Sequence, residues 1–388
     1  MIIMEDKILN NKKRVLIFTT AYFPLTGGAE VAILDLTNSL KDYDFDLICA
    51  RLRNEFKPEE KVGRVNVFRV GRGSVLDKWL LPFTGFFKAL DLAKKNDYAG
   101  IWAVMASYGA FAARFLKGKT GKPFLLTLQE GTPVEQIEKK VGLLKPIFGS
   151  VFKKADYIQA ISHYLARWAK KMGARCPIEV VPNPVDIDNF CLSLEKRQET
   201  RTRLRRQFVL EQNEKLVITH GRLVPKNGVA DLIEAIKLLP GVKLAVLGDG
   251  PLEVQLKEQA GRLGIGDRVF FLGFIRHHEI PSYLAAADIF CRPSLSEGLG
   301  TSFLEAMVAG LPVVATPVGG IVDFLKHGQT GLLARPGDPK DIAEKIKMLC
   351  DDESLAKEII KNGESLIKKE YSREIVTEKI GKIFKRIF

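Results

Sequence analysis

The stretch SLSEGLGTSFLEAMVAGLPVVATPVGG, residues 294–320, contains the features that decide the fold of this chain. Short apolar runs at 287–293 and 312–316 predict a buried strand on either side of a loop and a helix. The glycines of the loop permit close backbone approach, and the helix is expected to begin at Thr301. A strand, a glycine loop and a helix N-terminus together present backbone N–H groups and a positive dipole end, which bind phosphate.

Two acidic residues bracket this loop. Glu297 is at the loop entrance and Glu305 is one turn into the predicted helix. Carboxylates are poor partners for phosphate, but they accept hydrogen bonds from hydroxyls, and one carboxylate can accept both protons of a vicinal diol. The spacing alone is more often that of two solvated acids at a helix end. Together with the phosphate-binding loop, it favours a ligand that carries both a diphosphate and a sugar.

The run from Glu297 to Asp338 resembles the donor-binding signature of the retaining glycosyltransferases of family 4, whose fold is called GT-B. In that family the first Glu lies beside the donor sugar, the second binds the nucleotide ribose, and backbone amides of the loop hold the distal phosphate. The resemblance therefore implies a catalytic position beside the sugar for Glu297 and a ribose-binding role for Glu305. It also implies that the phosphate is held by Leu299, Gly300, Thr301 and Ser302.

The loop Gly221-Arg222-Leu223-Val224-Pro225-Lys226-Asn227-Gly228 resembles the family segment that supplies an Arg and a Lys to the pyrophosphate. Arg222 matches the family Arg. The family Lys directly precedes the Gly, whereas this chain has Asn227 there and Lys226 one place earlier. We expect Arg222 and Lys226 to stabilise the leaving diphosphate, as fixed cations do when charge develops. We also expect a left-handed backbone at Asn227, which would bring Lys226 to the phosphate.

The resemblance implies further donor contacts. Gly27 and Gly28 follow a predicted strand and resemble the glycine loop that faces the donor diphosphate across the cleft. Gln129 ends another strand, where related sequences commonly carry a His that reaches toward the donor sugar. A neutral amide cannot supply the proton of a titratable ring, so any such role is in question at this position. Phe274 ends a strand whose backbone, in the family, touches the base.

Two polar patterns are expected to carry no metal chemistry. Asp42-Tyr43-Asp44-Phe45-Asp46 spells the DxD pattern of metal-dependent glycosyltransferases of another fold, but we predict that it lies in the short turn before a strand at 47–49. His277 and His278 are predicted to form a solvated turn. We accordingly expect neither a metal site nor a cofactor.

The composition fits two ordinary α/β domains. The chain has 388 residues, of which 46% are apolar and 27% are charged. Its cysteines are odd in number and have no CxxC pair, which favours a reducing cytoplasm over a disulfide framework or a zinc site; they are Cys49, Cys176, Cys191, Cys291 and Cys350. We expect no signal peptide and no membrane span, and hence a cytoplasmic protein that is soluble or peripheral on the inner face of the membrane.

The net charge of +13 is distributed unevenly. Residues 1–188 contain 29 Lys and Arg against 20 Asp and Glu, whereas the remainder contains 30 against 26. Basic excess is compatible with nucleic acid, an anionic membrane or solubility alone. Because no nucleic-acid motif is present, nucleic acid is the least favoured partner. Residues 72–95 and 141–175 mix apolar and basic side chains, which fits a core or a subunit interface but also a membrane surface and a lipid acceptor.

The resemblance covers nearly the whole chain and implies an α/β protein of GT-B fold, with two Rossmann-like domains whose parallel sheets face a central cleft. We predict an acceptor-binding domain at 1–187, a nucleotide-sugar-binding domain at 188–365, and a C-terminal helix at 366–388 that crosses back to the first domain. The implied reaction transfers a sugar from a nucleoside diphosphate, such as a UDP-hexose or GDP-mannose, to a hydroxyl of a glycan or lipid-linked acceptor. The anomeric configuration would be retained, without a metal.

Two alternatives stay open at this point. One is a GT-B epimerase or phosphorylase, and an epimerase would act without an acceptor. The other is a catalytically silent protein, which would bind the nucleotide sugar but neither transfer nor hydrolyse it. The presence of both acids and both candidate cations favours catalysis.

Overall fold

The computed structural model describes residues 12–25 and 27–388. Within these residues, the first sheet consists of eight strands: β1 (Lys13–Phe18), β2 (Tyr43–Ala50), β3 (Glu59–Val62), β4 (Val65–Val70), β5 (Tyr98–Val104), β6 (Phe124–Leu128), β7 (Tyr157–Ala160) and β8 (Ile178–Val180). Their order is β3-β4-β2-β1-β5-β6-β7-β8. Neighbouring strands are parallel, except that β3 is antiparallel to β4.

The second sheet has six strands in the described chain, all parallel: β9 (Lys215–His220), β10 (Val242–Leu247), β11 (Val269–Phe271), β12 (Ile289–Arg292), β13 (Val313–Ala315) and β14 (Leu332–Leu333). Their order is β11-β10-β9-β12-β13-β14. The prediction of an α/β fold with two Rossmann-like parallel sheets is confirmed.

Helices connect successive strands, as parallel pairing requires. Those of the first half are α1 (Gly28–Ser39), α2 (Asp77–Lys95), α3 (Tyr108–Thr120), α4 (Val134–Val141), α5 (Lys145–Lys154), α6 (His163–Lys171), α7 (Ile187–Phe190) and α8 (Leu194–Gln207). Those of the second half are α9 (Val229–Lys237), α10 (Glu253–Arg262), α11 (Ile280–Ala286), α12 (Thr301–Val308), α13 (Ile321–Phe324), α14 (Pro339–Asp351), α15 (Glu353–Glu370) and α16 (Arg373–Ile387). None of these helices, nor any other in the described ranges, combines the length and the apolar character that crossing a membrane demands.

The first sheet is covered on both faces, which explains why β1 is a continuous apolar run. Leu16 and Phe18 point into a core shared with α2 and α3. Val15 and Ile17, on the opposite face, pack with α1 and with α16. Successive side chains of a strand point to opposite faces, so one short run supplies both cores.

The chain passes between the two sheets at two neighbouring places. Val185 N donates to Tyr371 O at 2.9 Å, so the segment that leaves the first sheet is bonded to the segment that returns to it. Beside them, Arg373 forms an ion pair with Asp186 at 2.7 Å. After this second passage, α16 buries Val376, Ile380, Ile383 and Phe384 against the first sheet. The domain boundaries at residues 187 and 365 stay predictions.

The prediction that residues 42–46 form a turn is wrong. Strand β2 begins at Tyr43, so Asp44 and Asp46 belong to the sheet. Asp46 is buried, and it accepts hydrogen bonds from Tyr98 Oη at 2.5 Å and from Asn66 Nδ2 at 2.8 Å. Asn66 is on the neighbouring strand β4, and Tyr98 is on β5, which lies beyond β1. These hydrogen bonds satisfy a buried carboxylate that the local sequence pattern assigns to a loop.

Candidate active site

The loop that leads from β12 to α12 lies at the carboxyl end of the second sheet, where open α/β sheets bind ligands. Gly300 adopts a φ of +91°, which a residue with a side chain would rarely do, and α12 starts directly after it. Gly298 is needed for a different reason. A Cβ atom there would lie 2.5 Å from the carbonyl oxygen of Glu130, so the loop touches the first domain through its backbone.

Glu297 is buried at the start of this loop and is held by cations. Its Oε1 atom lies 2.5 Å from Arg292 Nη2, and its Oε2 atom lies 4.0 Å from Lys226 Nζ. Arg292 also donates to Ser294 Oγ at 3.2 Å and to His220 O at 3.0 Å, while its guanidinium stacks on Phe303 at 4.5 Å. The carboxylate is therefore fixed in orientation by a buried guanidinium.

Sequence reasoning did not single out Arg292. The available signal was a charged residue at the end of an otherwise apolar strand, Ile289–Arg292. Charged side chains are almost never fully buried unless they are paired, so an Arg at this position predicts a nearby acid. Its partner Glu297 is only five residues away.

Glu305 is buried on α12 between two histidines. His277 Nε2 lies 2.8 Å from its Oε1 atom, and His220 Nε2 lies 3.3 Å from its Oε2 atom. Burial alone would raise the pKa of Glu305, but the hydrogen bond with His277 outweighs it, with Arg292 acting in the same direction, so the pKa is lowered. The carboxylate is thus ionised and poised to accept hydrogen bonds.

His277 lies in an exposed turn, as predicted, but its ring also contacts the site. The turn is present, as a 3₁₀ segment at 277–279, but the ring of His277 is bonded to Glu305, and this bond raises the pKa of His277. His220 behaves in the opposite way, because burial lowers its pKa to about 4 and keeps it neutral. Of the two rings, His277 is therefore the one whose protonated form is favoured by Glu305.

The segment 221–228 directly follows β9 and faces Glu297 through Lys226. Burial lowers the pKa of Lys226, with Arg292 and Arg222 acting in the same direction and Glu297 opposing them. The prediction of a left-handed backbone at Asn227 is wrong. The left-handed residue is Gly228, at φ +67°, while Asn227 ends a 3₁₀ turn and donates from Nδ2 to Arg222 O at 2.7 Å. Asn227 thus holds the loop through its side chain.

The remaining candidates lie on both sides of the cleft. Gln129 is buried, and its Oε1 atom accepts from Asn183 Nδ2 at 3.2 Å. Gly27 precedes α1 and is exposed, as is Gly28. Arg222 and Phe274 are also exposed. Ser302 is buried in the first turn of α12, where Leu299 and Thr301 flank Gly300. The structure therefore groups Glu297 with Lys226 and Arg292, and it leaves Arg222, Phe274 and the two glycines at exposed positions.

Glu130 is a second acidic residue that sequence reasoning missed. It follows Gln129 after β6, and its Oε1 atom accepts from Ala106 N at 2.5 Å. Burial raises its pKa to about 7, although backbone N–H groups act in the opposite direction. An acid directly after a buried strand, at the carboxyl edge of a parallel sheet, was the signal that could have found it.

The two domains meet at the base of the cleft. Besides the contact of Gly298 with Glu130, His163 N donates to Asp323 Oδ2 of the second domain at 2.8 Å. Lys226 reaches the first domain, since a Cβ atom on Gly131 would lie 2.8 Å from its Nζ atom. In the described part of the chain, no set of three or more His, Cys, Asp and Glu side chains is arranged to hold a metal ion.

Comparison with known proteins agrees with this geometry. Residues 200–366 match the family model described as Glycosyl transferases group 1, and residues 26–189 match the model described as Glycosyltransferase Family 4. The 2-deoxystreptamine glucosyltransferase of Streptomyces kanamyceticus is 31% identical over 277 residues, which is 68% of each chain. A GDP-mannose-dependent alpha-(1-6)-phosphatidylinositol monomannoside mannosyltransferase of Mycobacterium tuberculosis is 30% identical over 227 residues, covering 54% of this chain and 58% of that protein.

Solved structures of similar fold extend over nearly the whole chain. Sucrose-phosphate synthase from Thermosynechococcus elongatus has a TM-score of 0.85 at 19% identity, covering 97% of this chain and 99% of that one. HepE from Anabaena, solved in complex with UDP-glucose, has a TM-score of 0.81 at 22% identity, covering 96% and 99%. With the matching family models and the 31% identical relative, these similarities lead to one conclusion: the chain belongs to the group 1 glycosyl transferases, a family of glycosyltransferase enzymes, and has the GT-B fold.

Proposed function

We propose that this glycosyltransferase moves a sugar from a nucleoside diphosphate to a hydroxyl group of a glycan or lipid-linked acceptor, with retention of the anomeric configuration and without a metal. The observation that carries the proposal is the pair of buried carboxylates on either side of the α12 N-terminus. Glu297 is paired with Arg292, and Glu305 is paired with His277. In this arrangement Glu297 would accept hydrogen bonds from the sugar hydroxyls and Glu305 from the ribose diol. The helix end between them would bind the phosphate.

In the proposed reaction the bond between the anomeric carbon and the diphosphate oxygen breaks, and a bond to the acceptor oxygen forms on the same face of the sugar. Negative charge grows on the leaving diphosphate. Lys226, Arg222 and the first N–H groups of α12 are in the segments that would stabilise it. The acceptor proton passes to the leaving phosphate oxygen, so the reaction balances as glycoside plus nucleoside diphosphate and needs no separate general base.

The donor proposal is supported by the named activities of the relatives. One is named for GDP-mannose, and HepE was solved with UDP-glucose. We therefore propose a UDP-hexose or GDP-mannose as donor, bound as a substrate, with no cofactor. Gly27, Gly28, Gln129 and Phe274 are the further proposed donor contacts, in addition to Leu299, Gly300, Thr301 and Ser302.

The acceptor proposal is based on the first domain. Its basic excess is larger than that of the second, and it exposes apolar side chains on α2 and around α5, including Trp79 and Ile147. A basic surface with exposed apolar groups suits the interface of an anionic membrane. We therefore propose a cytoplasmic enzyme that works at the inner face of the membrane, with part or all of its acceptor lipid-linked.

Thermal unfolding with UDP, GDP and ADP tests the donor proposal. A nucleotide at 100 times its dissociation constant should stabilise the folded state by about 2.7 kcal/mol, and only the cognate base should do so at low concentration. The matching nucleotide sugar should then give a product whose anomeric proton, followed by NMR, has the donor configuration. Stabilisation by none of the nucleotides would contradict the proposed donor, an inverted product would contradict retention, and loss of activity in EDTA would contradict metal independence.

A further inference from the structure

An aromatic groove lies on the outer side of the first domain, where α2 packs along α3. Phe83, Phe86 and Phe87 of α2 line it together with Phe115 of α3, and its volume is about 440 Å³. Phe83 and Phe87 remain 60% and 66% exposed. Large exposed apolar surfaces on a soluble domain mark interaction sites, because their contact with water is unfavourable.

Two cations complete the lining of the groove, Arg114 and Lys154. The guanidinium of Arg114 lies over the ring of Phe115 at 5.4 Å, and its Nε atom is buried without a hydrogen-bond partner among the described residues. A buried guanidinium nitrogen normally has an acceptor. Because Arg114 also lines the groove, its guanidinium is the natural partner of a phosphate there, and guanidinium pairs strongly with phosphate.

The seam between α2 and α3 continues from the groove to the N-terminal ends of both helices. Trp79, one turn before Phe83 on α2, is 59% exposed, and its ring packs edge-on against Tyr108 at 4.9 Å. Tyr108 is the first residue of α3, which follows the carboxyl end of β5. The carboxyl ends of parallel strands form the cleft edge of the sheet, so the seam between α2 and α3 runs from that edge to the aromatic groove.

We infer that this groove holds a hydrocarbon chain of an anionic, phosphate-bearing lipid, with its phosphate paired to Arg114 and its polar end toward the cleft. Four phenylalanine rings give a sugar or a peptide backbone no partners for its polar groups, whereas a hydrocarbon chain needs none. The cations select a negative headgroup. This inference adds detail to the proposed lipid-linked acceptor. It rests on the proposed function only where it names the lipid as the acceptor, because lipid binding itself does not depend on catalysis.

Vesicle binding by the full chain tests the inference. Vesicles of phosphatidylcholine alone are compared with vesicles that also contain phosphatidylglycerol brominated on its acyl chains. The wild-type protein should co-sediment with the anionic vesicles at low salt and less so at high salt. The brominated chains should quench Trp79, which is the exposed tryptophan, since Trp102 and Trp168 are buried.

Three variants distinguish lipid binding in the groove from nonspecific hydrophobic binding to vesicles. The double variant Phe83→Ser/Phe87→Ser replaces exposed rings, and it should lose at least about tenfold in partitioning together with the quenching. Arg114→Gln should retain binding but lose the preference for phosphatidylglycerol. Val254→Ser, which changes an exposed apolar residue of α10 in the second domain, should behave as wild type.

Two results would overturn the inference. The first is that the wild-type protein does not pellet with anionic vesicles at low salt. If a second copy of the chain covers the groove, this result would be accompanied by a dimer in sedimentation velocity. The second is unchanged partitioning of Phe83→Ser/Phe87→Ser. Affinity for UDP or GDP, measured by calorimetry in the same samples, should be equal in all variants. Vesicle binding without any nucleotide binding would instead contradict the proposed function and leave the groove intact.

Discussion

At the scale of single residues, Glu305 and Glu297 are expected to affect different steps, nucleotide binding and sugar transfer. Glu305→Ala removes the proposed acceptor for the ribose diol, so UDP or GDP affinity should fall by about 1.5–3 kcal/mol, the cost of a lost charged hydrogen bond. Glu297→Ala should lower the transfer rate more than nucleotide affinity. Calorimetry and initial rates on both variants provide the comparison, each serving as the control of the other. Unchanged nucleotide affinity in folded Glu305→Ala would refute the ribose assignment.

Lys226 and Asn227 are neighbours with different expected effects. Lys226→Ala should reduce transfer by the ~10²–10³ typical of removing one electrostatic stabiliser. Asn227→Gly removes the hydrogen bond to Arg222 O, and should cost about 0.5–1.5 kcal/mol in stability. Rates and urea unfolding measure the two effects, with Lys237→Ala on α9 as an exposed control. Full activity in Lys226→Ala would leave the diphosphate to Arg222 and the helix amides.

Glu130 should make stability depend on pH. Its pKa rises from 4.5 to about 7 on folding because the carboxyl is buried. The folded state therefore holds a proton that the unfolded chain releases, and stability falls as pH rises from 4.5 to 7. The loss of stability is complete above pH 7, at roughly 3.5 kcal/mol given about 1.4 kcal/mol per pKa unit, and it is absent below pH 4.5.

Glu130→Gln should flatten this part of the pH profile in urea unfolding between pH 5 and 8. Glu135→Gln, an exposed change on α4, should keep the wild-type profile. If Glu130→Gln and the wild type showed the same slope, the carboxyl would be solvated in the folded protein and not buried beside Ala106.

At the scale of elements, the loop before α12 depends on the absence of a side chain at Gly298. In Gly298→Ala the new Cβ atom would lie 2.5 Å from Glu130 O, so the loop must move away from the first domain. Misplacement of about 1 Å at a reacting centre can cost ~10²-fold in rate, and we expect a loss of that order in transfer with nucleotide binding largely kept. Gly261→Ala, at an open position of α10, is the control. Equal rates for the two variants would mean that the contact with Glu130 has no part in the reaction.

Elements were also where sequence reasoning was most and least successful. The second sheet and the loop before α12 could be predicted because apolar runs, glycines and the Pro312 stop are local signals. The partners of the site could not. His220 and His277 are 85 and 28 residues from Glu305 in sequence, and only the packing of β9 and the 277–279 turn against α12 brings them together. The predicted strand at 47–49 was shorter than β2 because Asp46 looked like a loop residue. Its burial depends on a hydrogen bond from Tyr98, which lies on another strand.

At the scale of the whole molecule, α16 covers the first sheet from the far end of the chain. Phe384 is fully buried and packs against Tyr43 at 5.2 Å and Trp102 at 5.3 Å between ring centroids. Phe384→Ala should cost about 3–5 kcal/mol, the usual cost of removing a core ring. Urea unfolding measures it, and Lys385→Ala, exposed on the same helix, should be near neutral. A loss below 1 kcal/mol would show that α16 is not part of the core of the first domain.

The two neighbouring passages of the chain between the domains have a mechanical consequence. Because Val185 is bonded to Tyr371 and Asp186 to Arg373, we expect the two connections to move together as one joint and not as two independent tethers. A joint of this kind permits rotation about a single axis and resists twisting and sliding. Groups on opposite walls of the cleft would then approach each other along one arc. Closure would be a search in one angle, and we expect little orientational freedom to be lost when the reacting groups come together.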